Sequence, residues 1–138
     1  GNEQYIVSAY AMATGTVGGN VILQVREWLK NDMTKPIATH TVAMPGSLLS
    51  AIPGRWIRLE LSYLATNSVD LGSFTVELGF IGGSPGQAVF FDGVQLEKGL
   101  PLPSGRKSTE ATPFTPQKGI VSPNEDRDLG KGVPYYTW

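Results

Sequence analysis

Cysteine is absent from the 138 residues, which excludes disulfide staples and thiolate chemistry and leaves the compartment unread from redox usage. Histidine occurs once, at His40. A lone histidine is more often a structural or surface residue than a general base. Neither sign of charge dominates: 11 Lys and Arg against 12 Asp and Glu leave a formal net charge of −1. Such a balance exerts no long-range pull toward nucleic acid or anionic membranes. No apolar run approaches the ~20 residues that span a bilayer, and no signal peptide is visible. A G-x-S-x-G elbow, a P-loop and zinc-ligand spacing are all missing. The segment 79–86 is glycine-rich but lacks the lysine and following helix of a phosphate loop, so it reads as a hairpin turn.

What is present points to strands. Apolar residues make up 41% of the chain, enough for a core, and 17 glycines and 10 prolines punctuate short β-branched and aromatic runs. That composition favours a sandwich or barrel over a helical bundle. The first run is Tyr5 to Met12, closed by a turn over Gly15 to Gly19. In Asn20 to Leu29, Val21, Leu23 and Val25 fall on one face and Gln24 and Arg26 on the other, a period of two. Glu27 to Lys30 extends that strand or begins a loop, and Asn31 to Pro36 reads as a connection. Thr39 to Met44 is a weaker strand; Pro45 to Gly54 is a loop with one helical turn at Ser47 to Ala51. The clearest alternation follows: Ile57, Leu59, Leu61 and Tyr63 against Arg58, Glu60 and Ser62, a half-buried strand. Phe74, Val76, Leu78 and Phe80 repeat it, Gly82 to Gly86 makes a turn, and Ala88 to Glu97 is the last strand.

Beyond Glu97 the character changes. Six of the ten prolines fall in residues 97–138. Proline removes ladder donors and breaks helices, so the sheet cannot continue far. The segment reads as an extended arm ending in Tyr135, Tyr136 and Trp138.

Four segments carry a resemblance. Tyr5-Ile6-Val7-Ser8-Ala9-Tyr10, Gly54-Arg55-Trp56-Ile57-Arg58-Leu59, Phe90-Phe91-Asp92-Gly93-Val94-Gln95-Leu96-Glu97-Lys98-Gly99 and Ala111-Thr112-Pro113-Phe114 stand in the order found in carbohydrate-binding-module-like jelly rolls. The last two together resemble the closing strand and tail of such domains in tailed-phage virion proteins. The likeness spans residues 4 to 115. Two departures stand out. Members of this group carry further strands ahead of the first one here, so the chain, which opens on Gly1, is expected to be processed or a fragment, or to have its sheet completed by another chain. Gly93 stands where the group often has a second Asp. The fold expected is all-β: an antiparallel jelly-roll sandwich over residues 1–98, then an extended, mostly irregular C-terminal arm over 99–138.

The candidate residues follow. Sugar recognition by such folds stacks pyranose rings on aromatic faces with polar neighbours fixing hydroxyls, which nominates Tyr10, Trp28 and Trp56. Trp28, beside the outward Arg26, is the best placed, while Trp56 opens a strand and reads as packing; for each, packing outranks stacking. The resemblance implies a structural calcium near Asp92, but a carboxylate satisfied by backbone donors at a bulge beside Gly93 is preferred. Glycoside hydrolysis needs two carboxylates; Glu60 and Glu77 are the available pair, and both read as solvated strand charges. Glu125-Asp126-Arg127-Asp128 could bind a cation through oxygens, though acidic runs are usually solvated. Tyr135, Tyr136 and Trp138 either fold back on their own domain or, as preferred here, dock on a neighbouring subunit, since large aromatics anchor interfaces.

The resemblance implies a non-enzymatic structural module on the exterior of a phage virion, in capsid decoration, tail or fibre, partnered by other virion subunits or by itself, and by a cell-surface glycan. Neither nucleic acid nor membrane is expected as a partner, and no cofactor beyond that calcium. The alternatives are a carbohydrate-binding module of a larger glycan-active enzyme and a small glycoside hydrolase.

Overall fold

The computed structural model describes residues 3–114. Six strands and one short helix follow in order: β1 (Gln4–Met12), β2 (Asn20–Leu29), β3 (Asp32–Pro45), α1 (Gly46–Ala51), β4 (Ile57–Leu64), β5 (Leu71–Ile81) and β6 (Phe90–Lys98). They form two antiparallel three-stranded sheets, ordered β4-β1-β6 and β3-β2-β5. Every connection except β2–β3 passes from one sheet to the other, as in a jelly roll. The chain is an all-β sandwich.

The period of two explains the core. Val7, Ala9 and Ala11 of β1 face Val21, Leu23 and Val25 of β2, all at 0% exposure, with Leu59 and Tyr63 of β4 and Leu49 of α1 closing the layer. β1 and β2 are the central strands, so each contributes a continuous apolar row. Alanines on β1 leave room for the larger side chains opposite. The alternation in β4 holds: Leu59 and Tyr63 are buried, and Glu60 and Ser62 are exposed on the other side.

Two expectations are corrected. Asn31 to Pro36 is not a connection, because β3 begins at Asp32 after a turn at Lys30 and Asn31. Pro36 is tolerated because β3 is an edge strand and Pro36 sits opposite Trp28 at a break in register. The glycine-rich segment after Phe80 is a turn, with Gly82 and Gly86 at φ of 79° and 85°. It is no hairpin, however, since β5 and β6 lie in different sheets.

Beyond β6 the chain folds back. The Gly99 amide donates to the Gln4 carbonyl, and Leu102 and Ser108 donate to Arg106 and Leu100, making a small hairpin. The chain then returns to β6, where Thr112 N donates to both Glu97 carboxylate oxygens at 3.2 Å. Gln95 Nε2 bridges Glu97 at 3.0 Å and Thr112 at 3.4 Å. Phe114 meets Tyr10 edge-on, 6.2 Å between ring centroids. This strap lies on the outward side of β1, where Ile6 and Ser8 are 1% and 0% exposed.

Candidate functional site

Side chains of opposite parity to the core point outward from the second sheet. Along β2 they are Ile22, Gln24, Arg26 and Trp28; in register beside them stand Thr41 and Thr39 of β3, and Glu77, Thr75 and Ser73 of β5. This row is tied together. Trp28 Nε1 donates to Thr75 Oγ1 at 2.8 Å, which fixes the indole and leaves it half-buried. Arg26 Nε donates to Glu77 Oε2 at 2.6 Å, and Gln24 Nε2 donates to the same oxygen at 2.9 Å. Thr41 Oγ1 donates to Gln24 Oε1 at 2.8 Å. The hydrogen bonds from Gln24 and then Arg26 hold the Glu77 carboxyl below the usual range. Just past Trp28, a hollow of about 270 Å³ is lined by Leu29, Lys30, Asn31, Asp32 and Asp70. One fixed aromatic ring beside several pre-oriented donors and acceptors can hold a small polyol: the ring takes an apolar face and the side chains take hydroxyls.

The aromatic candidates do not converge. Tyr10 is on the other sheet, with the Arg58 guanidinium 5.3 Å over its ring and Phe114 against its edge. Trp56 precedes β4, at the opposite end from Trp28, whose neighbour Glu27 reaches Thr66 beyond the end of β4. Of the three, Trp28 alone stands among outward-facing hydrogen-bonding side chains of the second sheet.

The carboxylate candidates separate as well. Glu60 pairs with Ser8 on the outward side of the first sheet, and Glu77 pairs with Gln24 on the outward side of the second. Two groups on opposite faces cannot act on one glycosidic bond. Asp92 Oδ1 accepts from the Gly93 amide at 2.7 Å, where β6 breaks register with β1 and Gly93 takes φ of 61°. Among the described residues, no group of three or more His, Cys, Asp or Glu is placed to hold a metal ion. Glu125 to Asp128, Tyr135, Tyr136 and Trp138 lie outside the described residues.

One cluster was not anticipated. Glu27 lies on the core side of β2 at 0% exposure. Its Oε1 accepts from the Thr66 amide at 2.7 Å, and its Oε2 accepts from the Thr66 hydroxyl at 3.1 Å and contacts His40 Nε2 at 2.9 Å. His40 stacks on Tyr63 at 4.6 Å, and Phe74 meets Tyr63 edge-on at 5.7 Å. Burial, with the nearby Glu27 carboxylate adding, pushes the Tyr63 hydroxyl well above its ordinary range, so it stays neutral. The single histidine therefore has a structural partner. The signal was the parity itself: Val21, Leu23, Val25 and Glu27 share one face, and extending the strand turns the carboxylate inward. No protein-family model, curated protein or solved structure matches the chain.

Proposed function

We propose that the chain is a non-enzymatic interaction module of a tailed-phage virion exterior, which binds a cell-surface saccharide through the outward face of the β3-β2-β5 sheet. The observation that carries this reading is the Trp28 platform: an indole pinned by Thr75 beside the linked side chains of Arg26, Gln24, Glu77 and Thr41. Ring stacking and hydroxyl recognition both need fixed partners, because freezing mobile ones on binding would cost affinity. The virion setting rests on the resemblance. The residues of its last two segments meet in one place, Gln95 and Glu97 gripping Thr112 while Phe114 packs on Tyr10. The wide separation of Glu60 and Glu77 argues against a hydrolase using that pair.

The test is a glycan array with quantitative titration of any hit. Trp28→Ala is expected to weaken binding by about thirtyfold, the effect of losing an aromatic hot spot worth ~2 kcal/mol. Trp56→Ala, at the far end, leaves affinity within about twofold. Equal losses for the two variants, or no glycan bound by the parent chain, would refute the platform.

A second role, as an assembly subunit, is favoured by the sheet edges. β6 is an edge strand and leaves Phe90, Val94 and Leu96 at 48%, 47% and 44% exposure. Apolar edges of this kind invite pairing with another chain. Light scattering across a concentration series is expected to show self-association that a Val94→Lys, Leu96→Lys variant abolishes. A parent chain that stays monomeric at every concentration would count against pairing through this edge.

A further inference from the structure

The Trp28 face is electrically closed. Among the described residues in register across its three strands, it carries one cation, Arg26, and one anion, Glu77, joined at 2.6 Å with side-chain exposures of 36% and 45%. Glu77 also takes the Gln24 amide at 2.9 Å, so two donors converge on one oxygen and hold the carboxylate in place. An acidic sugar would normally be recognised by an arginine fork gripping its carboxylate. Here Glu77 already holds the Nε–H and neutralises the guanidinium, so the remaining N–H groups meet a ligand with their charge already balanced. Such a grip also sets the ligand's carboxylate beside that of Glu77, a like-charge contact that complementary interfaces avoid. The hollow next to Trp28 leans the same way, because among the described residues Asp32 and Asp70 line it against the single cation Lys30.

A neutral sugar meets none of this. Adjacent hydroxyls can donate to the carboxylate and to the Gln24 carbonyl oxygen, and accept from the guanidinium, while the pair stays intact. Resting on the saccharide reading of this face, we propose that Glu77 is a specificity-determining residue, which restricts the Trp28 site to neutral sugars and disfavours uronic and sialic acids by neutralising Arg26 and repelling a second carboxylate.

Both Arg26 and Glu77 are substantially exposed, so their variants are expected to fold. The parent chain, Glu77→Gln and the double variant Arg26→Gln, Glu77→Gln are compared on an array of neutral, uronate-containing and sialylated glycans at one fixed ionic strength. The parent is expected to bind neutral glycans only. Glu77→Gln gains acidic glycans by about tenfold, since the freed guanidinium has a partner to take and the repelling charge is gone. The double variant loses that gain. A parent preference for acidic glycans, or neutral binding in Glu77→Gln with no acidic gain, overturns the role of Glu77 and leaves the saccharide reading standing. No glycan bound by any of the three chains overturns both.

Discussion

Glu27→Ala is expected to cost about 3 kcal/mol or more of folding stability, measured as a drop in urea midpoint at unchanged slope. The reason is the company the carboxylate keeps. Glu27 is wholly buried in the central strand of the second sheet, and its oxygens satisfy the amide and hydroxyl of Thr66. Removing them strands a backbone N–H, at roughly 1–3 kcal/mol for a buried unsatisfied group, and opens a cavity among side chains that relax only partly. His40 also loses its partner. Thr66 stands in the crossover between β4 and β5, just past Ala65, whose N–H donates to Glu3 O at 2.8 Å and ends the β1–β4 ladder, so no strand partner takes over its donors. Against the ~5–15 kcal/mol total of a natural domain, the loss is large. Glu27→Gln keeps one carbonyl oxygen for the Thr66 amide, so it is expected to cost less than alanine. An alanine variant within 1 kcal/mol of the parent would show that the cluster is ornamental.

Gly19→Ala is expected to lower the melting temperature by about 15 °C, or to prevent folding, because two costs coincide. Gly19 has φ of 63°, in the left-handed region that side chains avoid. A Cβ there would lie 2.2 Å from the Ile81 carbonyl oxygen and 2.6 Å from the Gly82 carbonyl carbon, both backbone atoms that cannot swing away. The opposite flank is occupied too, since Gly46 N donates to Gly19 O at 2.9 Å, and a Cβ on Gly46 would meet Gly18 O at 2.3 Å. Three connections therefore meet backbone to backbone: β1 to β2, β3 to α1, and β5 to β6. Left-handed strain of ~1–2 kcal/mol and overpacking of ~1–3 kcal/mol convert to the stated shift for a domain of this size. Gly86→Ala is the matched comparison, with φ of 85° and open space around the missing Cβ. It is expected to lose only the backbone part. Equal shifts at the two positions would dispose of the close-packing explanation.

The legible part of the fold is the part written in parity. The ends of β2 coincide with the run Asn20 to Leu29, and the inward rows of β2 and β4 follow from alternation alone, whereas in β1 Ile6 and Ser8 are as buried as Val7 and Ala9. The turn at Ser47 to Ala51 is the helix α1, begun one residue earlier at Gly46. What escaped depends on neighbours. Pro36 looked like a strand breaker, and only its place on an edge at a register break makes it harmless. The glycines after Ile81 mark a turn, but whether the chain doubles back or crosses to the other sheet is a long-range matter that composition does not encode. Glu27 escaped because a carboxylate in an inward position looks like a strand ending, unless the Thr66 donors waiting across the sandwich are known. Trp28 was nominated from its outward neighbour Arg26. Its partners Thr75 and Glu77 lie 47 and 51 residues from the groups they bind, so the platform itself could not be read locally.

The grip of Glu97 and Gln95 on Thr112 also decides which way the module faces. It brings Phe114 to Tyr10, on the back of the sandwich, while Trp28 looks out from the front. A partner that covers the Phe114–Tyr10 side therefore leaves the Trp28 face open. Mounted that way on a larger particle, many copies would present their front faces to the surroundings at once, and a weak grip on each single ligand would add up to firm attachment through number.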